Sequence, residues 1–600
     1  TKLSTKRKKS FNLQRHGECD FVMKIYSEDK LVLSGILPYI ENIGFKAVSQ
    51  ETYKISFSNE VKYICVFNLS AETPIKSSFE LIKENVEEAL HRLSVGDLEN
   101  DILCNLILVS GLRWRQVKIL KALTAYLAQT SFSYNKEYVK EVLVRHSHFA
   151  EYLIKLFESK FYPDPTEFTN SVSINKSLTS YLGEVTNSVE DRILRTMHSI
   201  VEAITRTNAY QKDAKGEFKP HVSFKLDSSK VPDIPLPLPF AEIFVYSISF
   251  EAVHLRGGKV ARGGLRWSDR KEDFRTEVHG LMKAQITKNT VIVPVGSKGG
   301  FVVKADASSM DRATFKKHVV ECYKNFLRGM LDITDNLVDG KIVRPKDIVA
   351  YDEDDPYLVV AADKGTATFS DYANSVSKEY NFWLGDAFAS GGSAGYDHKK
   401  MAITAKGAWI SVQRHFAEMG TDVQTDPITI VGIGDMSGDV FGNGLLLSKS
   451  VKLVAAFNHM HIFIDPNPDP EKSYLERKRL FELPGSKWSD YSMDILSEGG
   501  GVYERSSKNI TISEAARKLL DVDTADFTPE ALINCILKAP VDLIWNGGIG
   551  TYIKAAAESH LEVGDKANDS LRINGHELRA KVVGEGGNLG FSQLGRIEYA

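Results

Sequence analysis

Residues 427–438 read PITIVGIGDMSG, an apolar run that leads directly into a glycine-rich turn. The apolar run predicts a β-strand buried on both faces, and the segment after the turn is compatible with a helix. Glycine lets the backbone turn tightly and approach a pyrophosphate, whose charge the N–H groups at the start of the helix can hold. The third glycine of the usual GxGxxG spacing is replaced by Ser437, so the turn alone is equally consistent with a plain strand-to-helix connection.

The next predicted strand supports a dinucleotide site. Val451–Phe457 ends at Asn458, 24 residues beyond Gly434. At about this distance an acidic residue normally binds the adenosine ribose of NAD. Asn458 carries no charge but can hydrogen-bond a hydroxyl; its alternative role is to cap the loop. No Arg or Lys follows Asn458 directly, which favours NAD over NADP because a 2′-phosphate needs a fixed cation.

A second informative stretch is VARGGLRWSDRKEDFRTEVHGLMKAQITKNTVIVPVGSKGGFVVK, residues 260–304. Its two glycine pairs, Gly263-Gly264 and Gly299-Gly300, follow Arg262 and Lys298 directly. Glycine pairs beside cations suggest a backbone held close to a small anionic ligand. Desolvation of Lys298 between glycines would lower its pKa toward the range of a general base. The alternative is a solvated lysine in a glycine turn.

Further polar residues extend this candidate site. A predicted helix over residues 273–289 places Gln285 and Lys288 on one face, because they are three positions apart. Asp363, in VVAADKG, follows an apolar run and would lie at the end of a strand. It is interpreted either as a proton shuttle or as the N-cap of a helix over residues 366–380.

Composition limits the class of protein. The 600 residues are 43% hydrophobic and 26% charged, which describes a globular chain too long for a single core. Since 75 basic residues face 78 acidic ones, a nucleic-acid-binding surface is not expected. Five scattered cysteines without a CxxC pair predict neither a disulfide framework nor a zinc site, and they favour a reducing compartment such as the cytoplasm. No apolar stretch approaches the roughly 20 residues of a membrane span.

The pattern of predicted elements changes along the chain. Residues 21–68 predict a small α/β module with a β-α-β-β pattern, and residues 74–208 predict long amphipathic helices, including one over residues 137–157. The proline-rich segment at residues 228–240 marks a boundary. Beyond it, strands, helices and glycine-rich turns alternate as in an α/β fold, and from Asp397 onward their order predicts a parallel sheet with crossover helices. The chain begins without Met and stops just after a glycine-rich loop, so we expect it to be part of a longer polypeptide.

Several long motifs occur in a recognisable order along these elements: HLRGGKVARGGLRWSDRKEDFRTEV, VIVPVGSKGGF, AADKGTATFSD, GIGDMSGDVFGNG, WNGGIGTY and GEGGNLG. With them, the chain resembles the large-subunit NAD-specific glutamate dehydrogenases over essentially all of its 600 residues. The resemblance implies an ACT-like α/β module over residues 1–73 and a helical region over 74–224. It also implies a substrate domain with a mixed sheet over 225–400 and a Rossmann-like NAD-binding domain over 401–600.

The resemblance also implies roles for the candidate substrate site. The catalytic lysine of the family, in its glycine-flanked loop, corresponds to Lys298. The aspartate that passes a proton to or from the amino group corresponds to Asp363. The helical pair that holds the substrate α-carboxylate is present as Gln285 and Lys288.

The side-chain carboxylate of the substrate has its own implied partner. The cation that precedes Gly-Gly-x-Arg in this family is Lys in the smaller enzymes and is Arg262 here, followed by Gly263 and Gly264. Two features depart from the smaller enzymes: the loop before Lys298 is one residue shorter, and the serine that completes the carboxylate pocket would lie beyond residue 600.

For the cofactor, the resemblance implies NAD and no metal. The family's Thr-Gly-x-Gly turn near the nicotinamide corresponds to residues 404–407, and the loops around the nicotinamide ribose and amide correspond to residues 546–548 and Asn588. The implied cofactor-binding residues are Thr404, Gly432, Gly434, Asp435, Ser437, Gly438, Asn458, Asn546, Gly547 and Asn588.

The expected activity is NAD-dependent oxidative deamination of L-glutamate to 2-oxoglutarate and ammonium. One alternative is a dehydrogenase of another amino acid on the same scaffold. Another is a catalytically silent amino-acid sensor, which the intact Lys298 and Asp363 argue against. The expected partners are the small-molecule substrates, further copies of the chain in a homo-oligomer, and an amino-acid effector at the ACT-like module; neither nucleic acid nor membrane is expected.

Overall fold

The computed structural model describes residues 9–57, 60–72, 78–130, 132, 134–164, 166, 171–288, 294–363, 365–366, 368–393, 395, 398–548, 550–563, 565–587 and 589–600. The chain forms two compact units, Thr1–Ser390 and Gly391–Ala600, whereas the predicted boundary lies between residues 400 and 401. No described helix combines the length and the apolar character needed to cross a membrane.

The first unit begins with a four-stranded antiparallel sheet in the order β1-β2-β4-β3, packed against two helices. Its elements are β1 (Lys9–Arg15), β2 (Asp20–Ser27), α1 (Leu33–Ile43), β3 (Phe45–Phe57), β4 (Glu60–Ala71) and α2 (Phe79–Val95). Alternate residues of β2, Phe21, Met23 and Ile25, are buried, as expected of a sheet with one covered face. The sequence pattern missed β1, so the module is β-β-α-β-β.

A helical region follows, with α3 (Leu106–Val109), α4 (Trp114–Ala128), α5 (Lys136–Arg145), α6 (Ser147–Phe161), α7 (Ser171–Glu184) and α8 (Ser188–Ala203). The single helix predicted over residues 137–157 is wrong, because the helix breaks at His146, whose φ of −98° and ψ of 50° are not helical. The His146 ring bonds Tyr181 Oη (3.0 Å) and Glu190 Oε2 (2.7 Å), which tie this residue to α7 and α8.

The larger sheet of the first unit has seven strands in the order β13-β9-β10-β8-β7-β6-β5. The strands are β5 (Ile204–Thr207), β6 (Val222–Leu226), β7 (Ala241–Tyr246), β8 (Phe250–Arg256), β9 (Ala261–Trp267), β10 (Val295–Val303) and β13 (Val359–Ala362). The first three connected strands, β13, β9 and β10, are parallel, and the remaining neighbours are antiparallel, so the predicted mixed sheet is confirmed. β5 and β6 begin before residue 225 and still belong to this sheet.

Helices and a hairpin complete this part of the first unit. They are α9 (Phe274–Lys288), α10 (Arg312–Leu331), the hairpin strands β11 (Asn336–Val338) and β12 (Lys341–Val343), and α11 (Ser370–Glu379). α9 packs against β8 and β10, and α10 packs against β6, β7 and β10. The strand that carries Lys298 is therefore covered by helices.

The second unit is built on a six-stranded sheet in the order β17-β16-β15-β14-β20-β23. The six strands of this sheet are β14 (Ile428–Ile433), β15 (Val451–Phe457), β16 (His461–Ile464), β17 (Gly501–Glu504), β20 (Leu543–Asn546) and β23 (Val582–Glu585). Two separate strand pairs are formed by β18 (Ile510–Thr511) with β19 (Asp526–Phe527) and by β21 (Ile553–Lys554) with β22 (Ile573–Asn574). The helices of this unit are α12 (His398–Met401), α13 (Ile403–Glu418), α14 (Asp439–Gly444), α15 (Pro470–Glu482), α16 (Glu514–Leu520), α17 (Pro529–Leu537), α18 (His560–Val563) and α19 (Gln593–Tyr599). β14, β15, β20 and β23 are parallel, which confirms the predicted Rossmann-like arrangement.

A buried ion pair attaches α9 to the seven-stranded sheet. Arg275 Nε and Nη2 donate to Glu242 Oε1 and Oε2 of β7, each at 2.6 Å, and both residues are buried. Burial opposes the charged form of Arg275, but the Glu242 carboxylate outweighs it, so the pKa of the guanidinium lies above its usual value. The bidentate contact is the geometry that best offsets the free-energy cost of desolvating both charges.

We expect Arg275→Met to destabilise the first unit by about 3–5 kcal/mol, because Glu242 would remain buried without its partner. The double variant Arg275→Met/Glu242→Leu should recover most of this loss. The measurement is the urea midpoint of each protein, with Arg328→Met as the matched control because its partner Glu379 is solvent-exposed. Equal midpoints for Arg275→Met and Arg328→Met would contradict the prediction.

Candidate active site

The glycines beside Lys298 predicted a loop, but Lys298 lies inside strand β10. The glycine pairs serve the close approach of strands and helix. A Cβ on Gly263 would lie 1.6 Å from the carbonyl oxygen of Ser297, and one on Gly300 would lie 2.6 Å from Val278 of α9. Lys298 itself is 4% exposed. The glycines thus allow β9, β10 and α9 to enclose this lysine.

Lys298 pairs with Asp363, the second predicted catalytic residue. The distance from Lys298 Nζ to Asp363 Oδ2 is 2.8 Å. Asp363 follows β13 directly, as predicted, and a Cβ on Gly264 would lie 2.9 Å from the Cβ of Asp363. The alternative interpretation as a helix N-cap does not hold, because α11 begins at Ser370 and its N-cap residue is Phe369.

Two residues that the sequence analysis did not select complete this cluster. Arg266 Nε donates to Asp363 Oδ2 (3.1 Å), and its Nη1 donates to Glu277 Oε1 of α9 (2.7 Å). Burial disfavours the charge on Arg266, but Asp363 and Glu277 outweigh this and raise the pKa of the guanidinium. The sequence alone carries no signal for Arg266, because its contact with Asp363 arises from the register of β13 on β9, in which Ala362 lies opposite Leu265, one position before each residue. One carboxylate thus faces two buried cations.

Arg262 and Gln285, both predicted to bind substrate, differ in exposure. Arg262, on β9, is exposed, and its Nη2 donates to Ser390 Oγ at 2.7 Å. Gln285 is half-buried on α9, at the point where a Cβ on Gly296 would lie 2.5 Å from the Gln285 carbonyl carbon. Lys288 is the last residue of α9, and its side chain is outside the described part of the chain.

In the sheet of the second unit, β14 lies between β15 and β20. The strand order therefore reverses at β14, because the next strand in the sequence lies on one side of it and a later strand on the other. In open α/β sheets, ligands bind at the carboxyl edge of the strands at such a reversal of strand order. Gly434, Asn458 and Asn546 lie at this edge, directly after or at the ends of β14, β15 and β20. The structure therefore brings these three predicted cofactor residues to one edge of one sheet.

The glycine-rich turn after β14 requires glycine at its tightest point and is held by internal hydrogen bonds. Gly434 has a φ of 134°, which disfavours any other residue, and a Cβ on it would meet Phe441 of α14 at 2.8 Å. Asp435 Oδ1 accepts the backbone N–H of Ser437 (3.0 Å) and its hydroxyl (2.5 Å). Gly438 is the residue before α14. Ser437, at the position of the missing glycine, therefore braces the turn through Asp435.

Asn458 is engaged on both sides of its amide. Its Oδ1 accepts the N–H groups of Met460 and His461, each at 2.8 Å, and its Nδ2 donates to Asp435 Oδ2 at 2.9 Å. These contacts match the loop-capping interpretation. Arg505, just after β17, donates from Nη1 to the Asn458 carbonyl oxygen at 2.9 Å. The sequence analysis missed this cation because it is 47 residues away in the chain.

Asn546 is 1% exposed, and neither atom of its side-chain amide has a hydrogen-bond partner in the described part of the chain. Its backbone carbonyl accepts the N–H groups of Gly586 and Gly587 at 3.0 and 3.1 Å. A buried amide without partners is costly unless a ligand satisfies it. This side chain and the left-handed Gly434 are features that a bound dinucleotide would explain.

The remaining cofactor predictions have mixed outcomes. Residues 404–407 are helical and belong to α13, with Thr404 exposed in its first turn, so the predicted turn is not present. A helix forms there because the turn's first glycine is Ala405, a strong helix former that is buried in α13. Gly547 directly follows β20, and a Cβ on it would lie 2.6 Å from the backbone of Phe441. Asn588 lies outside the described residues.

Comparisons with known proteins agree with this architecture. Residues 177–600 match the family model of the bacterial NAD-glutamate dehydrogenase catalytic domain, residues 98–163 match glutamate dehydrogenase helical motif 3, and residues 9–82 match the glutamate dehydrogenase ACT3 domain. The NAD-specific glutamate dehydrogenase of Pseudomonas aeruginosa is 51% identical over 590 residues, covering 97% of this chain and 36% of that protein. The enzyme of the same name from Mycobacterium tuberculosis is 47% identical over 590 residues, covering 94% and 36%.

Among solved structures, the glutamate dehydrogenase of Plasmodium falciparum is similar over 81% of this chain and 77% of that chain, with 13% identity and a TM-score of 0.36. The present chain spans about a third of the length of the curated relatives that it matches. The resemblance stated from the motifs is confirmed by the family models and by the identities over nearly the full chain. By these matches, the chain belongs to the family of bacterial NAD-glutamate dehydrogenases.

Proposed function

We propose that this chain catalyses the NAD-dependent oxidative deamination of L-glutamate to 2-oxoglutarate and ammonium. The observation that carries the proposal is the buried pair of Lys298 and Asp363, with Nζ and Oδ2 2.8 Å apart. A lysine and a carboxylate at this distance can exchange a proton, which is what activation of water and deprotonation of an amine both require. The direct test is the appearance of NADH absorbance when the chain is mixed with glutamate and NAD.

Lys298 and Asp363 divide the proton transfers between them. Lys298 Nζ, when neutral, accepts a proton from the water that attacks the substrate carbon, and Asp363 exchanges protons with the substrate nitrogen. Arg266 contacts the same Asp363 oxygen that Lys298 contacts, and it is anchored by Glu277. This second cation keeps the carboxylate oriented when Lys298 loses its charge.

The substrate is oriented through its two carboxylates. Gln285 and Lys288 hold the α-carboxylate, and Arg262, beside Gly263 and Gly264, holds the γ-carboxylate. In the described residues Arg262 has a hydrogen bond to Ser390 and no ion pair, so its guanidinium is available for a bidentate contact. Fixing both ends of the substrate supplies the orientation from which much of the rate enhancement comes.

The dinucleotide is held by the carboxyl edge of the second unit's sheet. When bound, NAD supplies the acceptor for the hydride that leaves the substrate Cα. The pyrophosphate is held by the backbone of the turn at residues 432–438. The amide of Asn546, together with Gly547 and Asn588, serves the nicotinamide end, and the loop that Asn458 caps lies at the adenosine end.

The oligomeric state, the compartment and the regulation are inferred from the family. We expect a homo-oligomer in the cytoplasm, with an amino-acid effector at the ACT-like module. A dehydrogenase for another amino acid is the second candidate. The reason is that a single exposed residue, Arg262, sets the preference for a substrate with a side-chain carboxylate.

Lys298→Ala should lower turnover by at least about 10²-fold, because a general base typically contributes 10²–10⁴-fold. NAD affinity should stay nearly unchanged, since the proposed dinucleotide site is on the second unit. The measurements are steady-state NADH production and a fluorescence titration of NAD. Lys259→Ala, at a solvent-exposed lysine, is the matched control. Residual activity within about tenfold of wild type would reject the assignment.

Arg262→Leu should lower kcat/KM for glutamate by at least about 10²-fold, whereas norvaline, which lacks the side-chain carboxylate, should lose little or gain. A bidentate guanidinium contact would be lost only for glutamate. Steady-state kinetics of both substrates on both proteins, at one pH and with saturating NAD, measure the difference. An equal loss for the two substrates would make Arg262 a structural residue.

NAD should exceed NADP in kcat/KM by at least about tenfold, roughly 1.4 kcal/mol. The physical reason is the carboxylate of Asp435, which contacts Asn458 and would repel a 2′-phosphate. Arg505 is the cation that could offset this repulsion. Kinetics with both cofactors on wild type and Arg505→Gln separate the two effects. Comparable values in wild type, with a preference for NAD only in Arg505→Gln, would contradict the expectation and assign the phosphate to Arg505.

A further inference from the structure

Four charged side chains form a continuous chain of ion pairs at the proposed active site. Lys298 Nζ lies 2.8 Å from Asp363 Oδ2. Arg266 joins this pair to Glu277, with its Nε 3.1 Å from Asp363 Oδ2 and its Nη1 2.7 Å from Glu277 Oε1. Each of the four side chains is between 6% and 12% exposed. Glu277 ends this chain of ion pairs on the side away from the lysine.

Glu277 is the member of the chain of ion pairs that comes from helix α9, whereas the other three lie on strands of the sheet or at their ends. Its second carboxylate oxygen, Oε2, accepts the hydroxyl of Ser268 at 2.5 Å, and Ser268 directly follows β9. The backbone N–H of Ser268 donates to the carbonyl oxygen of Phe301 in β10 at 2.9 Å. Both oxygens of Glu277 are therefore held, so the carboxylate keeps its place beside Arg266 without a ligand.

The charges of these four side chains balance in only one protonation state of Lys298. With Lys298 protonated, two cations face two carboxylates. With Lys298 neutral, the group carries one net negative charge. Because charges interact strongly where contact with water is limited, Arg266 favours the loss of a proton from Lys298, and Glu277 opposes it.

Other charged groups on the neighbouring strands are paired or project from the other face of the sheet. Glu242 lies in the same row of residues as Lys298, two strands away, and is bound by Arg275 of α9 in the bidentate pair. Arg256 and His254 of β8 lie opposite the two residues that flank Lys298. Since side chains alternate along a strand, both project from the opposite face.

The other titratable side chains described on α9 or just before it are neutral, exposed or paired. Burial lowers the pKa of the His279 imidazole, which also bonds to a backbone carbonyl oxygen at 3.0 Å, so this residue is neutral at pH 7. Lys283 is exposed, and Arg270 pairs with Asp273. Among the described residues, Glu277 is thus the carboxylate that balances the guanidinium beside the proposed proton-transferring pair.

We propose that Glu277 is a positioning residue of the proposed reaction, which holds Arg266 in place and balances its charge so that Lys298 can both release and accept a proton. Beside Arg266 alone, Lys298 would lose its proton readily but would be a poor acceptor for the proton of water. The inference rests on the proposed function, because it concerns the same base, and it adds the group that adjusts the proton affinity of that base.

The test is the pH dependence of kcat/KM for glutamate, at saturating NAD, in wild type and Glu277→Gln. Glutamine keeps the shape of the side chain but removes its charge. The acidic limb should shift to lower pH by at least about half a unit, because loss of a nearby negative charge favours proton loss from either Lys298 or Asp363. The ionisation of free glutamate is common to all variants, so the shift reports on the protein.

Two further variants separate charge from structure. Glu277→Asp keeps the charge and should leave the limb within about 0.2 units of its wild-type position, whatever its maximal rate. Glu272→Gln, at an exposed glutamate just before α9, is the matched control and should not move the limb.

Three results would overturn the inference alone, provided that wild type forms NADH from glutamate. The limb of Glu277→Gln stays in place, it moves to higher pH, or it moves equally in Glu277→Asp. If wild type forms no NADH from glutamate, the proposed function itself fails, and the role of Glu277 fails with it.

Discussion

The candidate active site depends on one carboxylate that is shared by two buried cations. Asp363 lies between Lys298 and Arg266, and the three side chains come from three adjacent parallel strands. Such an arrangement requires the strands to keep their register and to lie very close together. Gly263 meets that requirement, because any side chain there would overlap the backbone of Ser297. The position of the lysine thus depends on a glycine in the neighbouring strand.

The second unit differs in that the edge of its sheet combines a turn held by internal hydrogen bonds with a polar group that is unsatisfied among the described residues. The turn after β14 is internally braced by Asp435 and Ser437, so it needs no ligand to hold its shape. Asn546, in contrast, is enclosed without partners among the described residues. For the dinucleotide site proposed above, a braced turn and an unsatisfied amide at one edge of the sheet form a preorganised arrangement, which would reduce the ordering cost of binding.

Much of this could be predicted from the sequence, and the exceptions share a cause. Strand β15 was predicted with its observed bounds and Asp363 at the end of a strand, whereas Lys298 was predicted in a glycine loop and lies inside β10. Arg266 and Arg505 were missed because their roles arise from register and from contacts distant in the chain. The break at His146 is likewise set by bonds to α7 and α8, which local periodicity does not contain.

Helix α4 is attached to residues 209–220. Arg115 donates to the carbonyl oxygens of Ala209 and Lys219, and Lys118 donates to that of Pro220, which limits where the chain can be cut into fragments. The catalytic family match begins at residue 177, whereas Arg115 and Lys118 lie more than 50 residues upstream. A fragment that began at the family boundary would lose the donors to three buried or half-buried carbonyl groups and would expose the apolar side chains that α4 covers. A fragment that begins before α4 keeps these contacts, so the stretch of chain that supports the fold of the first unit extends beyond the catalytic family match.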